Sequence, residues 1–211
     1  MLRYLYADQL HIFPRLAESM FRDRACQFKS RLGWDVTVNE HGLEKDAYDA
    51  LNPLYVIWEA PDGRHRGSMR FLPTTGRTMI NEHFTDLLGG GTVESPLIWE
   101  CTRFCLAREA ESRIAAALML GGGEIMRHFG VAHFAGVFDA RMIRIYRMIG
   151  AAPEILGRQG TGRAAISVGL WDFSETARKV VARRAGVSPA LSEHWFHRSF
   201  GADLGHMRLS A

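Results

Sequence analysis

Two strand-forming segments separated by one long helical segment constrain the fold of this chain most strongly. LIWECTRFCLA (97–107) and HFAGVFDA (133–140) are apolar and β-prone, and the pattern between them predicts a helix over roughly 109–129. Upstream, LYVIWEA and GSMRFLPT flank a turn at Pro61-Asp62-Gly63, which predicts an antiparallel hairpin. Strand, helix and strand after a run of antiparallel strands favour a mixed α/β sheet.

The remaining segments supply further elements. LRYLY predicts a first strand, and roughly 11–31 a helical region broken near Pro14 and ended by Gly33. Residues 35–53 are polar and predict a long loop, which in a compact domain is usually functional or disordered. The other predictions are an irregular segment at 78–91, a basic helix at 140–150, strands at 153–158 and 164–172, and a helical tail from about 174.

Composition indicates an ordinary globular protein. With 211 residues, 47% hydrophobic and 23% charged, we expect one domain over 1–211, with 174–211 as a helical extension. The balance of 26 Lys and Arg against 23 Asp and Glu demands no nucleic-acid partner. Three cysteines are too few for a secreted disulfide framework, and no Cys/His spacing is typical of a metal site. No signal-like N-terminus or membrane-length apolar run is present, so we expect a cytoplasmic protein without a metal or a membrane partner.

Charged residues in special positions mark candidate site residues. In the polar loop, Asp46 and Asp49 are three apart, so one helical turn would aim both carboxylates the same way. In the strand 97–107, Glu100 and Thr102 share one face and Arg103 lies on the other. A bulge near Thr102 is therefore needed to bring Glu100 and Arg103 to one site. The alternatives are a solvated acidic loop and a surface ion pair on an edge strand.

The stretch DRACQFKSRLGWDV (23–36) carries two aromatic residues among many charges. A helix from Arg24 to Arg31 would stack Arg24 on Phe28, and Gly33 would let Trp34 return to the same side. The alternative interpretation makes Phe28 and Trp34 ordinary core residues and Arg24 a solvated cap.

Five short motifs in order resemble one known family. RACQFKSRLGW, DAYD, MRF, HF and WECTRF, spread over about residues 1–172, are similar to motifs of the acyl-homoserine-lactone synthases, the LuxI-type autoinducer synthases. The resemblance implies an αβα sandwich similar to the N-acetyltransferase (GNAT) superfamily. Such a fold has a mixed, mostly antiparallel central sheet with a splayed pair of strands, and helices on both faces. It also implies transfer of an acyl chain from acyl carrier protein, or from coenzyme A, to S-adenosylmethionine, with no further cofactor. The products would be an acyl-homoserine lactone, a quorum-sensing signal, and methylthioadenosine.

The resemblance also assigns roles to residues of this chain. Glu100 would be the base for the amine, Thr102 would mark the bulge whose N–H groups stabilise the oxyanion, and Arg103 would brace the acids. The aromatic rings of Phe28 and Trp34 would face the sulfonium. The full set expected at S-adenosylmethionine is Arg24, Phe28, Trp34, Asp46, Asp49, Arg70 and Phe84.

Two further groups of residues concern the acyl donor. The expected acyl pocket consists of Met119, Gly136, Phe138, Met142, Ile145, Tyr146 and Ile149, each of which is otherwise plain core. Family members preferring 3-oxo chains often carry threonine where this chain has Gly136, so we expect chains unsubstituted at carbon three. Arg141, Arg144 and Arg147 recur every three residues and are either a solvated face or a docking stripe for acyl carrier protein. Gly121, Gly122 and Gly123 fall inside a predicted helix, too late for a coenzyme A pyrophosphate loop, which favours the carrier protein.

Parts of the sequence also suit two other functions. An amine N-acetyltransferase of the same fold would use acyl-coenzyme A and need no aromatic residues facing a sulfonium. The tail segment ARKVVARRAGVSPALSEHWF resembles a helix-turn-helix and would suggest a DNA-binding regulator.

Overall fold

A seven-stranded sheet forms the centre of the computed structural model, which describes residues 1–201. The strand order is β1-β2-β3-β4-β5-β7-β6, and every neighbouring pair is antiparallel except β4 and β5. The mixed, mostly antiparallel sheet expected from the sequence is confirmed. The strands are β1 (Leu2–Tyr6), β2 (Leu54–Glu59), β3 (His65–Pro73), β4 (Ile98–Leu106), β5 (His133–Asp139), β6 (Glu154–Gln159) and β7 (Ile166–Asp172).

The two parallel strands separate soon after they meet. β4 and β5 pair at only three positions, the last being Glu100 opposite Ala135, although β4 continues to Leu106. From Cys101 onward, β4 therefore no longer pairs with β5. This is the splayed pair that the fold prediction required.

Within residues 1–201, six α-helices cover the two faces of the sheet. Most lie where the sequence predicts them, and the segment 78–91 is more regular than expected because it contains one short helix. Their bounds are α1 (Pro14–Arg24), α2 (Met79–His83), α3 (Arg113–Phe129), α4 (Ala140–Ile149), α5 (Glu175–Ala185) and α6 (Pro189–Phe200).

Alternation along the first strands directs side chains to separate cores. Val56 packs with α3 on one face, whereas Tyr55 and Ile57 pack with α1 on the other. Within α3, a Cβ added at Gly121 would lie 2.7 Å from Cγ1 of Val56, so this glycine permits the close approach of helix and sheet.

The C-terminal helices belong to the same core. Phe196 of α6 is fully buried and packs edge-on against Tyr4 of β1, with ring centroids 5.2 Å apart. On α5, Arg178 pairs with the buried Glu124 of α3 at 2.8 Å. Between residues 174 and 201, the predicted helical extension forms two helices around a turn at Gly186, and both pack against the sheet or α3. Residues 202–211 of that predicted extension lie outside the described residues. Between residues 1 and 201, no helix combines the length and apolar character needed to cross a membrane.

Candidate active site

The helix that carries Arg24 changes its winding immediately after that residue. Residues Ala25–Arg31 continue α1 as a π-helix, a local widening that is frequent at functional sites. Gly33 then adopts φ +67°, and the Trp34 amide donates to the carbonyl of Phe28 at 2.9 Å. The rings of Phe28 and Trp34 stack with centroids 5.1 Å apart and planes 13° apart. The predicted return of Trp34 toward Phe28 is confirmed.

Arg24 does not stack on Phe28, contrary to the sequence prediction. Its guanidinium lies over the ring of Phe21, 5.1 Å from the centroid, and Arg103 lies near Phe28 instead, at 5.4 Å. The reason is electrostatic. Arg24 is fully buried and forms a two-pronged ion pair with Asp49, with both N–O distances 3.0 Å.

The loop acids converge as the sequence predicts. Asp46 caps the 3-10 turn Ala47–Leu51 by accepting hydrogen bonds from the amides of Tyr48 and Asp49. This turn aims both carboxylates at Arg70, whose guanidinium contacts Asp46 at 2.5 Å and Asp49 at 2.8 Å. The surrounding protein supplies their partners, so the alternative of a solvated acidic loop is wrong for these two residues.

Glu44 is a site residue that sequence reasoning missed. It is fully buried, with Oε2 accepting from Arg24 at 2.5 Å and Oε1 lying 3.0 Å from Arg103. A single bridge between Val38 and Glu44 holds the loop at this point. In the sequence, Glu44 is one more acid in a polar segment, and only its position two residues before Asp46 could have drawn attention to it.

A bulge in β4 places Arg103 on the same side as these acids. Opposite β3, Ser68 pairs with Cys105 and Arg70 with Thr102, so β4 contains one extra residue between the two pairs. The bulge includes Arg103, whose φ of +52° lies in the left-handed region. Arg103 then reaches Asp46 at 2.7 Å, and Thr102 accepts from Nε of Arg70 at 3.0 Å. The predicted bulge near Thr102 is confirmed.

Three guanidinium groups and three carboxylates thus form one compact cluster. Buried charges are costly unless each is paired, and here every member has at least two partners. Burial alone would raise the pKa of Asp49, but the guanidinium groups of Arg24 and Arg70 hold that pKa well below its usual range. The members of the cluster are Arg24, Glu44, Asp46, Asp49, Arg70 and Arg103.

Glu100 lies beside this cluster in a different environment. Its carboxylate accepts hydrogen bonds from the backbone amides of Ile80 at 2.6 Å and Met79 at 3.1 Å. Burial raises the pKa of Glu100, although the two amides and the nearby arginines oppose the rise. A carboxylate with a raised pKa is a better proton acceptor, which suits a general base.

A cavity of about 470 Å³ joins these elements between the splayed strands. It brings together the two stacked aromatic residues, the bulge, Glu100 and the first turn of α4. The predicted residues that line it are Phe28, Trp34, Phe84, Glu100, Thr102, Arg103, Phe138, Arg141, Met142 and Tyr146. Wall residues that sequence reasoning missed include Gln27, Met79, Phe104 and Arg163.

A smaller apolar cavity of about 70 Å³ lies next to it, under α3. Phe104 and Tyr146 line both cavities and so form the partition between them. Met119 was predicted for the acyl pocket and lines only this second cavity. Other wall residues here, none of them predicted, include Met69, Phe71, Cys101, Met126, Phe134 and Trp171.

Three residues predicted for the acyl pocket line neither cavity. Ile145 is 37% exposed on the outer face of α4, and Ile149 is buried in a cluster with α3 and α5. Gly136 is packed so tightly that an added Cβ would lie 2.9 Å from the carbonyl oxygen of Cys101. Ile145 points to solvent, and Ile149 lies at the last position of α4, about one turn beyond Tyr146, where it packs against α5 instead of the cavity.

The three arginines of α4 are all exposed. Arg141 pairs with Asp139 at 2.6 Å and lines the cavity. Arg144 and Arg147 have no ion pair with any residue of the described chain, 1–201.

The cavity walls hold no group of side chains suited to a metal ion. Within residues 1–201, the one such group is His128, Glu193 and His197, on α3 and α6, and none of the three lines either cavity.

Sequence comparison assigns the chain to a family. The sequence profile described as autoinducer synthase matches residues 10–181. The chain belongs to the autoinducer synthase family. A curated acyl-homoserine-lactone synthase of Rhizobium etli is 40% identical over 200 residues, covering 92% of this chain and 93% of that relative. The family resemblance drawn from the five motifs is thereby confirmed.

Solved structures of similar fold include other members of this family. A coenzyme A-dependent acyl-homoserine lactone synthase, MesI, matches with a TM-score of 0.79 and 24% identity over 90% of this chain and 98% of its own. BjaI is described as a coenzyme A-dependent acyl-homoserine lactone synthase and was solved with S-adenosylmethionine and isopentyl-coenzyme A. It matches with a TM-score of 0.77 and 24% identity, over 89% of this chain and 90% of its own. A protein described as an N-acetyltransferase from Lactobacillus plantarum matches with a TM-score of 0.55 and 12% identity, over 82% of this chain and 99% of its own. The N-acetyltransferase-like fold is therefore confirmed.

Proposed function

We propose that this chain synthesises an N-acyl-homoserine lactone from an acyl thioester and S-adenosylmethionine. The observation that carries the proposal is the cavity between the splayed strands of a chain in the autoinducer synthase family. It contains a carboxylate with a raised pKa, paired aromatic rings and an arginine held by acids. An amine N-acetyltransferase would have no use for the last two features.

The aromatic pair supports binding of a sulfonium substrate. Trp34 is 40% exposed and lines the cavity, so its ring is available to a positively charged sulfur. Such a contact contributes about 0.5–2 kcal/mol, depending on how far the cation is desolvated. Phe28 is almost fully buried and stacks against Trp34, so it mainly orients that ring.

Some residues of the charged cluster position the others, and some bind the substrate. Arg24 and Glu44 are fully buried and hold the loop 35–53 against β4, so they position other residues. Arg103 lines the cavity and contributes its guanidinium to the substrate carboxylate, while Asp46, 18% exposed at its side chain, is the acid best placed for the substrate's polar groups. Asp49 and Arg70 pair with the other cluster members and hold them in position.

In the first chemical step, the amine nitrogen attacks the thioester carbonyl carbon and the C–S bond breaks. An α-amino group has a pKa of about 7.7–8.0, so a substantial fraction is neutral near pH 7. Glu100 takes the proton from the attacking nitrogen, directly or through one water, and returns it to the departing thiolate. Backbone N–H groups at the bulge of β4, beyond the last position paired with β5, stabilise the oxyanion. Holding the amine against the carbonyl supplies the larger part of the acceleration.

Lactone closure requires no water and no additional cofactor. A carboxylate oxygen of the acylated methionine moiety attacks the carbon beside the sulfonium, and the C–S bond breaks to release neutral methylthioadenosine. The positive charge on sulfur is neutralised as the electron pair moves to it. Arg103 orients the attacking carboxylate and undergoes no proton transfer.

The acyl chain is assigned to the apolar side of the larger cavity and to the smaller apolar cavity next to it. The reacting carbonyl lies near Glu100, and the chain passes Phe138 and Met142 toward the partition formed by Phe104 and Tyr146. Movement of that partition would extend the chain's space toward Met119. The donor proposed is acyl carrier protein. Arg144 and Arg147 are exposed, without ion pairs in residues 1–201, on the helix whose first turn lines the cavity.

Product analysis tests this function. Purified chain is incubated with S-adenosylmethionine and a matched pair of donors carrying one acyl chain, on carrier protein or on coenzyme A. Liquid chromatography and mass spectrometry should show acyl-homoserine lactone and methylthioadenosine in equal amounts, faster from the carrier protein. Glu100→Gln is the control for background chemistry. Acylation of the amine without methylthioadenosine would support the acetyltransferase alternative, and faster turnover of the coenzyme A thioester would overturn the donor proposal alone.

A further inference from the structure

Helices α3 and α6 each carry a glutamate followed four residues later by a histidine. Glu124 and His128 lie four residues apart on α3, and Glu193 and His197 lie four residues apart on α6. Residues at this spacing share one face of a helix. The two pairs point toward each other where α6 packs against α3, as the contact between His128 and Phe196 shows.

Ligand atoms of His128, Glu193 and His197 all lie within 4.8 Å of one another, as the ligands of one metal ion must. His128 Nε2 lies 3.5 Å from Glu124 Oε2 and 3.8 Å from Glu193 Oε1. His197 Nε2 also lies 3.8 Å from Glu193 Oε1. A tetrahedral ion with ligands at about 2.0–2.1 Å holds its ligand atoms about 3.3–3.4 Å apart. Small side-chain movements of His128, Glu193 and His197 would therefore complete such a site.

Two buried polar atoms at this place have no hydrogen-bond partner, which is an independent indication. The Nε2 atom of His128, one of the three candidate ligands, is buried and has no hydrogen-bond partner. Next to it, Glu124 is fully buried, and its Oε1 accepts from Arg178 at 2.8 Å, whereas its Oε2 has no hydrogen-bond partner. Buried polar atoms in native proteins are nearly always satisfied, so this ring nitrogen beside Glu193 and His197 indicates a bound ligand.

The residues around the cluster hold the ligands in place. The ring of His128 stacks on Phe196 with centroids 4.6 Å apart, and the Glu124 carboxylate beside it is oriented by Arg178. Metal ligands in proteins are commonly supported by such second contacts. Arg127 competes with a bound ion for Glu193, since it lies 3.3 Å from Glu193 Oε1. It also lies 3.7 Å from Glu175, which gives it another partner when an ion binds.

We propose that His128, Glu193 and His197 bind one Zn²⁺ ion, which fastens α6 to α3. Two imidazoles and one carboxylate are ligands that Zn²⁺ accepts, with a water in the fourth tetrahedral position. The three residues line neither cavity, so the ion has a structural role. The Cys and His spacing in the sequence predicts no metal site, because the ligands come from two separate helices.

The first test measures zinc binding by the full chain after treatment with a chelator and buffer exchange. Isothermal titration with ZnCl₂ should show one site per chain, and Co²⁺ substitution should give the intense visible absorption of tetrahedral cobalt. His197→Ala removes a half-exposed ligand, so the fold is retained and zinc affinity should fall at least tenfold. His194→Ala, an exposed histidine on the same helix, is the matched control and should bind zinc like the parent chain.

The second test measures heat tolerance. One equivalent of Zn²⁺ should raise the melting temperature of the parent chain and of His194→Ala but not that of His197→Ala, because the ion binds only the folded arrangement. Saturable binding that is equal in His197→Ala and the parent chain would place the zinc elsewhere and overturn the proposal. Absence of saturable binding by the parent chain would do the same. Lactone synthesis is measured separately, since its loss or retention bears on the active site alone.

Discussion

Arg24 donates a hydrogen bond from Nε to Oε2 of Glu44 over 2.5 Å, and both side chains are completely shielded from solvent. Glu44 also pairs with Arg103, so the helix that begins at Pro14 and the bulged strand are joined through one carboxylate. Without it, two buried guanidinium groups lose a partner. This contact therefore determines where the loop 35–53 lies.

Glu44→Gln should destabilise the fold, because breaking a buried ion pair costs roughly 3–5 kcal/mol. Urea unfolding followed by circular dichroism measures the loss of unfolding free energy. Glu40→Gln, on an exposed carboxylate of the same loop, is the control and should leave that free energy within about 0.5 kcal/mol of the parent chain. Equal midpoints for the two variants would contradict the positioning role of Glu44.

Trp34→Ala should raise KM for S-adenosylmethionine about 2- to 30-fold, the range that corresponds to a cation–π contact of about 0.5–2 kcal/mol. The ring is 40% exposed, so the fold should be unaffected. Trp34→Phe keeps an aromatic face and should restore most of the affinity. Steady-state kinetics with the acyl donor at saturation give both values. An unchanged KM in the alanine variant would rule out a sulfonium contact at this ring.

The pH dependence of kcat should report Glu100. Burial raises the pKa of this carboxyl, so it takes up a proton at a higher pH than an exposed glutamate does. Because the base must be ionised, kcat should fall as pH decreases through that raised pKa and level off above it. Glu100→Gln should lower kcat by about 10²- to 10⁴-fold and remove this limb, leaving only the titration of the substrate amine. A limb that persists in the variant would assign it to another group.

Gly136→Ala should destabilise the protein and slow acyl transfer. The new Cβ would lie 2.9 Å from the carbonyl oxygen of Cys101, at the point where β4 and β5 separate. Overpacking of this kind costs about 1–3 kcal/mol. Gly76→Ala is the control, since the nearest atom to its Cβ lies at an ordinary 3.8 Å. Thermal melting and KM for the acyl donor are measured for both.

Product spectra address the same residue. The family resemblance, in which members preferring 3-oxo chains often carry threonine at the position of Gly136, predicts main lactones unsubstituted at carbon three, although Gly136 itself lines neither cavity. A spectrum dominated by 3-oxo lactones would contradict this expectation.

Charge reversal on α4 tests carrier docking. Arg144→Glu with Arg147→Glu should raise KM for acyl carrier protein about tenfold or more, because that partner is acidic, and leave KM for a small soluble thioester unchanged. Arg183→Glu with Arg184→Glu, equally exposed on α5, is the matched control. If both double variants behave alike, the contact is general charge attraction rather than docking on α4.

Many of the strands and helices could be predicted from the sequence, because their signals lie within a few consecutive residues. Alternation and turn residues located the hairpin of β2 and β3, and apolar patterns located β4, α3 and β5. The bulge followed from one physical requirement, that Glu100 and Arg103 serve one site although a regular strand puts them on opposite faces. The paired Asp46 and Asp49 followed from helical spacing, and the tertiary structure supplied the guanidinium groups that hold them.

Other features depended on residues that only the folded chain brings together. The sequence by itself determined the order of strands and helices, because backbone preferences and apolar periodicity act over a few residues. The tertiary structure alone decided that Glu44 is buried, that Arg24 faces Phe21, and that Gly136 touches Cys101. It also decided that α3 and α6 set their glutamates and histidines face to face. Desolvation and ion pairing act between segments distant in the chain, and neither leaves a periodic signal in the sequence.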